Sequence, residues 1–275
     1  MASLAKLGIL AGGGRLPVRL IEKCRETGRP FFVLAFDGET EPETVVGVPH
    51  AWTRLGAAGT AIRLLRENGV VEVVMAGAIR RPSLASLRPD WRAARLFARI
   101  GMRALGDDGL LAAVIRELEG EGFKLVGVDS LLDEMLAASG PLGRYAPDAQ
   151  AQADIAHGFR IVQALGTLDI GQGAIVQQGL VLGVEAIEGT DALIARCGGL
   201  RREGPGGVLV KARKPGQERR ADLPTIGPRT VEAAEAAGLR GIAVEAGHAL
   251  IVDEAVTVAL ADRFGLFLVG WTPAS

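Results

Sequence analysis

The sequence predicts an α/β protein: an N-terminal Rossmann-like domain on a parallel sheet, then a mixed α/β C-terminal domain. In the first half, continuous apolar runs alternate with amphipathic helical periods, as expected of strands buried on both faces. The first run, Leu7-Gly8-Ile9-Leu10-Ala11, passes through Gly12-Gly13-Gly14 into a helix, the opening of a doubly wound unit. The second half instead carries two strands around Gln178-Gly179, a hairpin signal. At 275 residues the chain is long for one hydrophobic core. The stretch 140–150 (GPLGRYAPDAQ) is rich in Pro and Gly and has no apolar period. Domains are therefore expected at 1–139 and 151–275, with 140–150 as the linker.

The elements follow in order. After the glycine turn, Val18, Leu20, Ile21 and Cys24 recur at helical spacing, and Phe31 to Phe36 is the second strand. Residues 56–68 form a helix with Ala61, Leu64 and Leu65 inward and Arg63, Arg66 and Glu67 outward. Residues 70–76 are the third strand, ending in Gly77-Ala78-Ile79-Arg80-Arg81-Pro82. Arg80 thus stands where parallel sheets place ligands, or is a solvated neighbour of a helix cap. Residues 91–100 are amphipathic and basic through Arg92, Arg95 and Arg99. That helix either packs on the core or touches an apolar ligand or anionic lipid. A helix at 110–119, opened by Asp107 and Asp108, a strand at 123–128 and a helix at 131–137 complete the first half.

The second half opens with a helix over 154–165, followed by the hairpin 174–185. Glu185, Glu188 and Asp191 come before a helix starting near Ala192, with Thr190 or Asp191 as its cap. Carboxylates there suit a metal or sugar hydroxyls, or simple capping and pairing. Strand 208–210, helix 231–237, strand 241–245, a hairpin-like segment 249–252, a helix from Asp253-Glu254 to Phe264 and strand 266–271 close the chain.

Composition narrows the function. There are 31 basic and 32 acidic residues, so no global field draws nucleic acid. An anion site must be a local cluster. Two cysteines without CxxC spacing and three scattered histidines speak against zinc and against a disulfide framework. No apolar window approaches the roughly 18 residues of a membrane span. A cytoplasmic protein is the expectation.

The chemistry concentrates in 206–230 (GGVLVKARKPGQERRADLPTIGPRT). Here Lys211, Arg213, Lys214, Arg219 and Arg220 crowd residues 211–220, with Glu218 and Asp222 interleaved. Such a cluster after a strand suits a diphosphate. The alternative is a solvated loop whose ion pairs are worth about 0–1 kcal/mol each. No GxSxG occurs, and no Cys or Ser has a His close by in sequence, so phosphate chemistry is favoured over covalent catalysis. Hydrolysis of a phosphoanhydride needs cations on the leaving phosphate and an acid that orients water or binds magnesium.

Three motifs, LGILAGGGRLP (7–17), DIGQGAIVQQGLVLGVEAIEGTD (169–191) and VKARKPGQERRADLPTIGPRT (210–230), resemble the LpxI family, and the resemblance covers nearly the whole chain. It implies a Mg²⁺-dependent hydrolase that splits UDP-2,3-diacylglucosamine into 2,3-diacylglucosamine 1-phosphate (lipid X) and UMP in lipid A biosynthesis. Water attacks the sugar-side phosphorus, and the lipid lies between two domains. A homodimer, peripheral on the cytoplasmic face of the inner membrane and without a nucleic-acid partner, is implied as well. The family's essential aspartate falls on Asp222, expected as catalytic residue and magnesium ligand, with Lys214 beside it. Carried over as substrate-binding are Gly12, Gly13, Gln178, Glu185, Glu188, Asp191, Lys211, Gln217 and Thr225, to which the strand-end and charge readings add Arg80 and Arg220. Glu218 stands where the family often has Asp, which leaves the role of the second acid open. A carrier of a nucleotide-sugar lipid, a nucleotide-sugar transferase and a dinucleotide oxidoreductase are the competing functions, the last weakened by the missing GxGxxG.

Overall fold

The computed structural model describes residues 4–79, 87–100, 107–215, 220 and 223–273, with backbone only at 99, 100, 107 and 108. These residues form two compact units, one running to Asp133 and including Arg220, the other beginning at Glu134.

The first unit contains β1 (Leu7–Ala11), α1 (Arg15–Glu26), β2 (Phe31–Phe36), β3 (His50–Thr53), α2 (Ala58–Glu67), β4 (Glu72–Ala76), α3 (Trp91–Ile100), α4 (Asp107–Gly120) and β5 (Lys124–Leu125). The strands form one parallel sheet in the order β3-β2-β1-β4-β5. This is the doubly wound arrangement, with its order reversing between β1 and β4. Every residue of β1 is buried, as a central strand covered on both faces requires. Leu34, Leu65 and Val73 are fully buried in the same apolar cluster, where helix α2 closes on the sheet. The edge strand β3 has no counterpart in the sequence reading. His50 and Trp52 point outward and only Thr53 is buried, so the strand lacks a continuous apolar run.

Two predicted elements of this region are shorter or different. The strand expected at 123–128 pairs only at Lys124–Leu125 before a 3₁₀ turn at Val128–Ser130. No α-helix forms at 131–137. A 3₁₀ turn spans Asp133–Met135, after which Ala137 exchanges backbone bonds with Ala249 and Gly247. Burial of Leu132, Met135 and Ala137 is met by this extended pairing and not by a helical face.

The second unit contains β6 (Gly140–Pro141), α5 (Ala149–Thr167), β7 (Gly173–Gln177), β8 (Leu180–Val184), α6 (Gly189–Gly198), β9 (Val208–Lys211), β10 (Thr225–Ile226), α7 (Pro228–Ala236), β11 (Gly241–Glu245), β12 (Leu250–Ile251), α8 (Glu254–Phe264) and β13 (Phe267–Trp271). Its main sheet runs β6-β13-β11-β9-β7-β8. The trio β9, β11 and β13 is parallel; β7 and β6 pair antiparallel at its two sides, and β8 pairs antiparallel with β7. The alternation of β9 divides two cores. Val208 and Val210 pack with α5, while Leu209 packs on the other face with residues of α6, α7 and α8.

Helix α5 begins at Asp148, whose carboxylate accepts the Ala151 N–H at 2.8 Å. Ile155, Phe159 and Val162 lie on its sheet-facing side, each worth about 1.5–3 kcal/mol when fully buried. The helix sits close to the sheet at Gly158, where a Cβ would come within 2.6 Å of Val210. Residues 140–148, expected as linker, lie in this unit. Gly140–Pro141 adds an edge strand to β13, a place proline tolerates. The hairpin predicted around Gln178-Gly179 forms, with φ of +52° and +78° at those residues. The segment 249–252 is not a hairpin: Leu250–Ile251 pairs in parallel with Thr225–Ile226.

Candidate active site

In the first unit the glycine turn lies at the strand-order switch, between the carboxyl ends of β1 and β4. Its amides are already bonded. Gly12 N–H donates to Ala76 O and Gly13 N–H to Ala78 O, both at 2.8 Å. A Cβ at Gly12 would stand 2.5 Å from Ala78 O, and one at Gly77 2.5 Å from Gly13 O. These glycines let two loops lock together. Gly14, at φ +88°, donates its N–H to both carboxylate oxygens of Glu41 at 3.1 Å. The first turn of α1 has no acid of its own, so Glu41 meets the positive helix end.

In the second unit the strands bring a set of polar groups to the carboxyl end of β9. Lys211, 4% exposed, donates from Nζ to Thr190 Oγ1 at 2.8 Å and to Thr225 O at 3.3 Å. The Thr190 hydroxyl in turn donates to Glu185 Oε1 at 2.7 Å. Accepting from an amine and donating to a carboxyl, that hydroxyl has a fixed orientation. The motif Gly171-Gln172-Gly173 makes room for the buried Glu185. A Cβ at Gly171 would lie 2.0 Å from Glu185 O, and one at Gly173 2.6 Å from Glu185 Oε2. Glu185 Oε2 and Gln172 Oε1 are buried acceptors with no hydrogen-bond donor among the described residues.

Beyond Lys211 the chain stays at this sheet end. Arg213 N–H donates to Glu245 Oε2 at 2.9 Å, at the tip of the neighbouring strand β11, and His248 Nδ1 is 3.6 Å from Glu245 Oε1. Lys214 is 6% exposed, with Nζ 2.7 Å from Asp169 Oδ1.

Thus Glu185, Lys211 and Thr225 are brought together, and Lys214 follows Lys211 on the same strand exit. Other expected residues stand elsewhere. Gln178 is the first turn residue of the hairpin, its N–H bound to Asp154 Oδ2 at 2.9 Å while Gly179 N–H binds Oδ1 at 2.7 Å. Glu188 precedes α6 and pairs with Arg196 at 2.9 Å. The backbone N–H of Glu188 itself, then Arg196, hold its carboxyl below 4.5. Asp191 pairs with Arg229 at 3.1 Å on the open surface. Arg220 pairs with Glu119 of α4 at 2.7 Å. Arg80, Gln217, Glu218 and Asp222 lie outside the described residues. Among the described residues no three His, Cys, Asp or Glu side chains converge as a metal cage.

Sequence reasoning treated Thr190 only as a helix cap and overlooked Asp154, Asp169, Glu41 and Glu245. Asp154 carried a readable signal. It is a lone acid in the buried stripe Ala151, Ile155, Gly158, Phe159 and Val162, where a charge needs a partner.

Residues 6–135 match the LpxI N-terminal domain and residues 138–269 the LpxI C-terminal domain. A curated relative from Caulobacter vibrioides, UDP-2,3-diacylglucosamine pyrophosphatase LpxI, is 42% identical over 277 residues, covering 98% of this chain and 99% of its own. Among solved structures, CobK precorrin-6A reductase aligns with 99% of this chain and 91% of its own at 13% identity, with a TM-score of 0.36. UDP-glucose 4-epimerase from Thermus thermophilus aligns with 98% and 86% at 13% identity, with a TM-score of 0.32.

Proposed function

The chain belongs to the LpxI family, and from that premise we propose that it hydrolyses the pyrophosphate of UDP-2,3-diacylglucosamine to lipid X and UMP in lipid A biosynthesis. The observation that carries the reading is the exit of β9. Lys211 is held there by Thr190 and Thr225, Lys214 follows, and the chain then runs directly into the segment bearing Asp222.

In this reading water attacks the sugar-side phosphorus. The bond from that phosphorus to the bridging oxygen breaks, and the bridging oxygen leaves with UMP. Asp222 orients the water and takes its proton, a role of the kind worth about 10²–10⁴-fold. Lys214 and Lys211 offset the charge that develops on the departing phosphate. Magnesium takes oxygen ligands and keeps part of its shell from substrate phosphates. The carboxylate of Asp222, the proposed protein ligand, suits that preference. When bound, the ion would screen the phosphate oxygens. We further propose a homodimer that works in the cytoplasm, peripheral on the inner membrane. No helix among the described residues is long and apolar enough to cross a membrane.

The test is incubation with the substrate and magnesium in detergent micelles, with water carrying a heavy oxygen isotope. The expected result is UMP plus lipid X, with the label in lipid X. Label in UMP would place the attack on the other phosphorus. Substrate binding without turnover would make the protein a carrier.

A further inference from the structure

Helix α3 is amphipathic, and its role is not accounted for by the strand-end site. It packs against α2 and α4, and its Ala93 is 4% exposed. On its outer side stand Trp91, 83% exposed, and Arg95 one turn later. Arg88 before the helix and Arg116 on α4 are exposed as well. A tryptophan carries about 150–250 Å² that a water-facing surface has no use for.

The charges on this face are unbalanced in a specific way. An open cleft of about 780 Å³ is lined by Asp90, Trp91, Arg95, Arg116, Glu117 and Glu121, among others. Each acid is committed internally. Asp90 accepts from Gly59 N–H and Ala93 N–H, both at 2.8 Å. Glu117 binds Arg92 at 2.9 Å, and Glu121 pairs with Arg92 and Arg66. Arg88, Arg95 and Arg116 have no ion-pair partner among the described residues. Among the described residues the three acids of the cleft are thus held in bonds within the protein, and the charges left to face outward around the exposed indole are those of Arg95 and Arg116.

We propose that the α3 face bearing Trp91 and Arg95, with Arg116 of α4, docks the protein on an anionic lipid bilayer. This deepens the function proposed above, because a diacylated substrate resides in the bilayer and the enzyme must come to it. Tryptophan settles at the headgroup level. Each basic residue brought near an anionic surface strengthens binding about fivefold. A small net charge elsewhere does not oppose this, because charges beyond about 8–10 Å are screened at physiological salt.

The experiment is flotation of the full chain with vesicles of phosphatidylethanolamine and phosphatidylglycerol, against phosphatidylcholine vesicles. The wild type should float with the first and not the second, and about 1 M salt should release it by shortening the Debye length to about 3 Å. The double variant Arg95→Gln, Arg116→Gln should bind about 25-fold more weakly, at about fivefold per charge. Its hydrolysis in detergent micelles should match the wild type. Trp91→Phe should abolish the blue shift of fluorescence on vesicle binding. Equal flotation of variant and wild type, or equal binding to both vesicle types, would overturn the proposal. So would release by millimolar glycerol phosphate, which would make the cleft a small-anion pocket. Absent hydrolysis in micelles with vesicle binding intact sinks the pyrophosphatase reading and leaves the docking surface standing.

Discussion

Thr190→Val keeps the side-chain shape and removes one hydroxyl from the network at the end of β9. Among the described residues Lys211 then retains only the Thr225 carbonyl at 3.3 Å, and Glu185 Oε1 loses its donor. Both residues are buried, at 4% and 7% exposure. A buried polar group left short of a partner costs about 1–3 kcal/mol, so the pair should cost about 2–6 kcal/mol. In a domain of this size 1 kcal/mol moves Tm by about 2–4 °C, so a fall of about 4–24 °C is expected. Turnover should suffer separately. Lys211 is fixed by Thr190 on one side and by the strand following Asp222 on the other, and a misplacement near 1 Å costs about 10²-fold. We expect kcat to fall by about 10- to 100-fold with KM changed little, because the affected charge acts on the leaving phosphate. The assay pairs initial rates in detergent micelles with thermal unfolding followed by circular dichroism. Thr190→Ser, which restores the hydroxyl, should recover both quantities. Wild-type kcat in Thr190→Val would refute the reasoning, and so would a Thr190→Ser variant as impaired as valine, which would assign the effect to the methyl group.

Asp222→Asn should bind substrate and lose at least about 10²-fold in kcat, measured by UMP release; a near wild-type rate would remove Asp222 from the chemistry. Asp154→Ala removes the acceptor of two hairpin amides and should cost about 1–3 kcal/mol in urea unfolding. Amide exchange at Gln178 and Gly179 should accelerate, and unchanged exchange would count against the cap. Lys124, then Arg29, hold the Glu72 carboxyl below its ordinary value of 4.5. A depressed folded value means its stabilisation is complete above about 4.5 and is lost as pH falls toward the lower folded value. Glu72→Gln should therefore narrow the stability difference between pH 7 and pH 3, and an identical pH profile would show that the pair contributes nothing.

Much of the fold was legible because its cause is local. The strands β1, β2 and β4 read as continuous apolar runs since a central parallel strand has no solvent face, and the Gln178-Gly179 hairpin read from residues that tolerate positive φ. What escaped was decided by partners distant in sequence. Leu250–Ile251 resembles half of a hairpin, but its backbone is taken by Thr225–Ile226. Residues 131–137 have helical spacing, but Ala137 is captured by 247–249. In the candidate site the cations of 211–220 were visible as composition. The hydroxyl that orients Lys211 was not, because Thr190 lies 21 residues away along the chain and looks locally like any cap.

The two glycine-rich stretches now separate by physical cause. Gly12-Gly13-Gly14 has the sequence of an anion-binding turn, and the chain itself supplies the anion. Glu41 occupies the Gly14 amide, while Gly12 and Gly13 spend theirs on Ala76 and Ala78. A phosphate entering there would have to displace a carboxylate tethered in place, whose effective concentration is of millimolar order or above. Gly171 and Gly173 serve a different end, admitting the backbone and carboxyl of Glu185 to distances no Cβ permits. That close approach sets Glu185 against Thr190, and through it Lys211, at the sheet end where further cations follow in sequence. Substituting Gly173 by alanine should therefore disturb the Lys211 network, because its Cβ would meet Glu185 Oε2 at 2.6 Å, lowering turnover with Asp222 untouched.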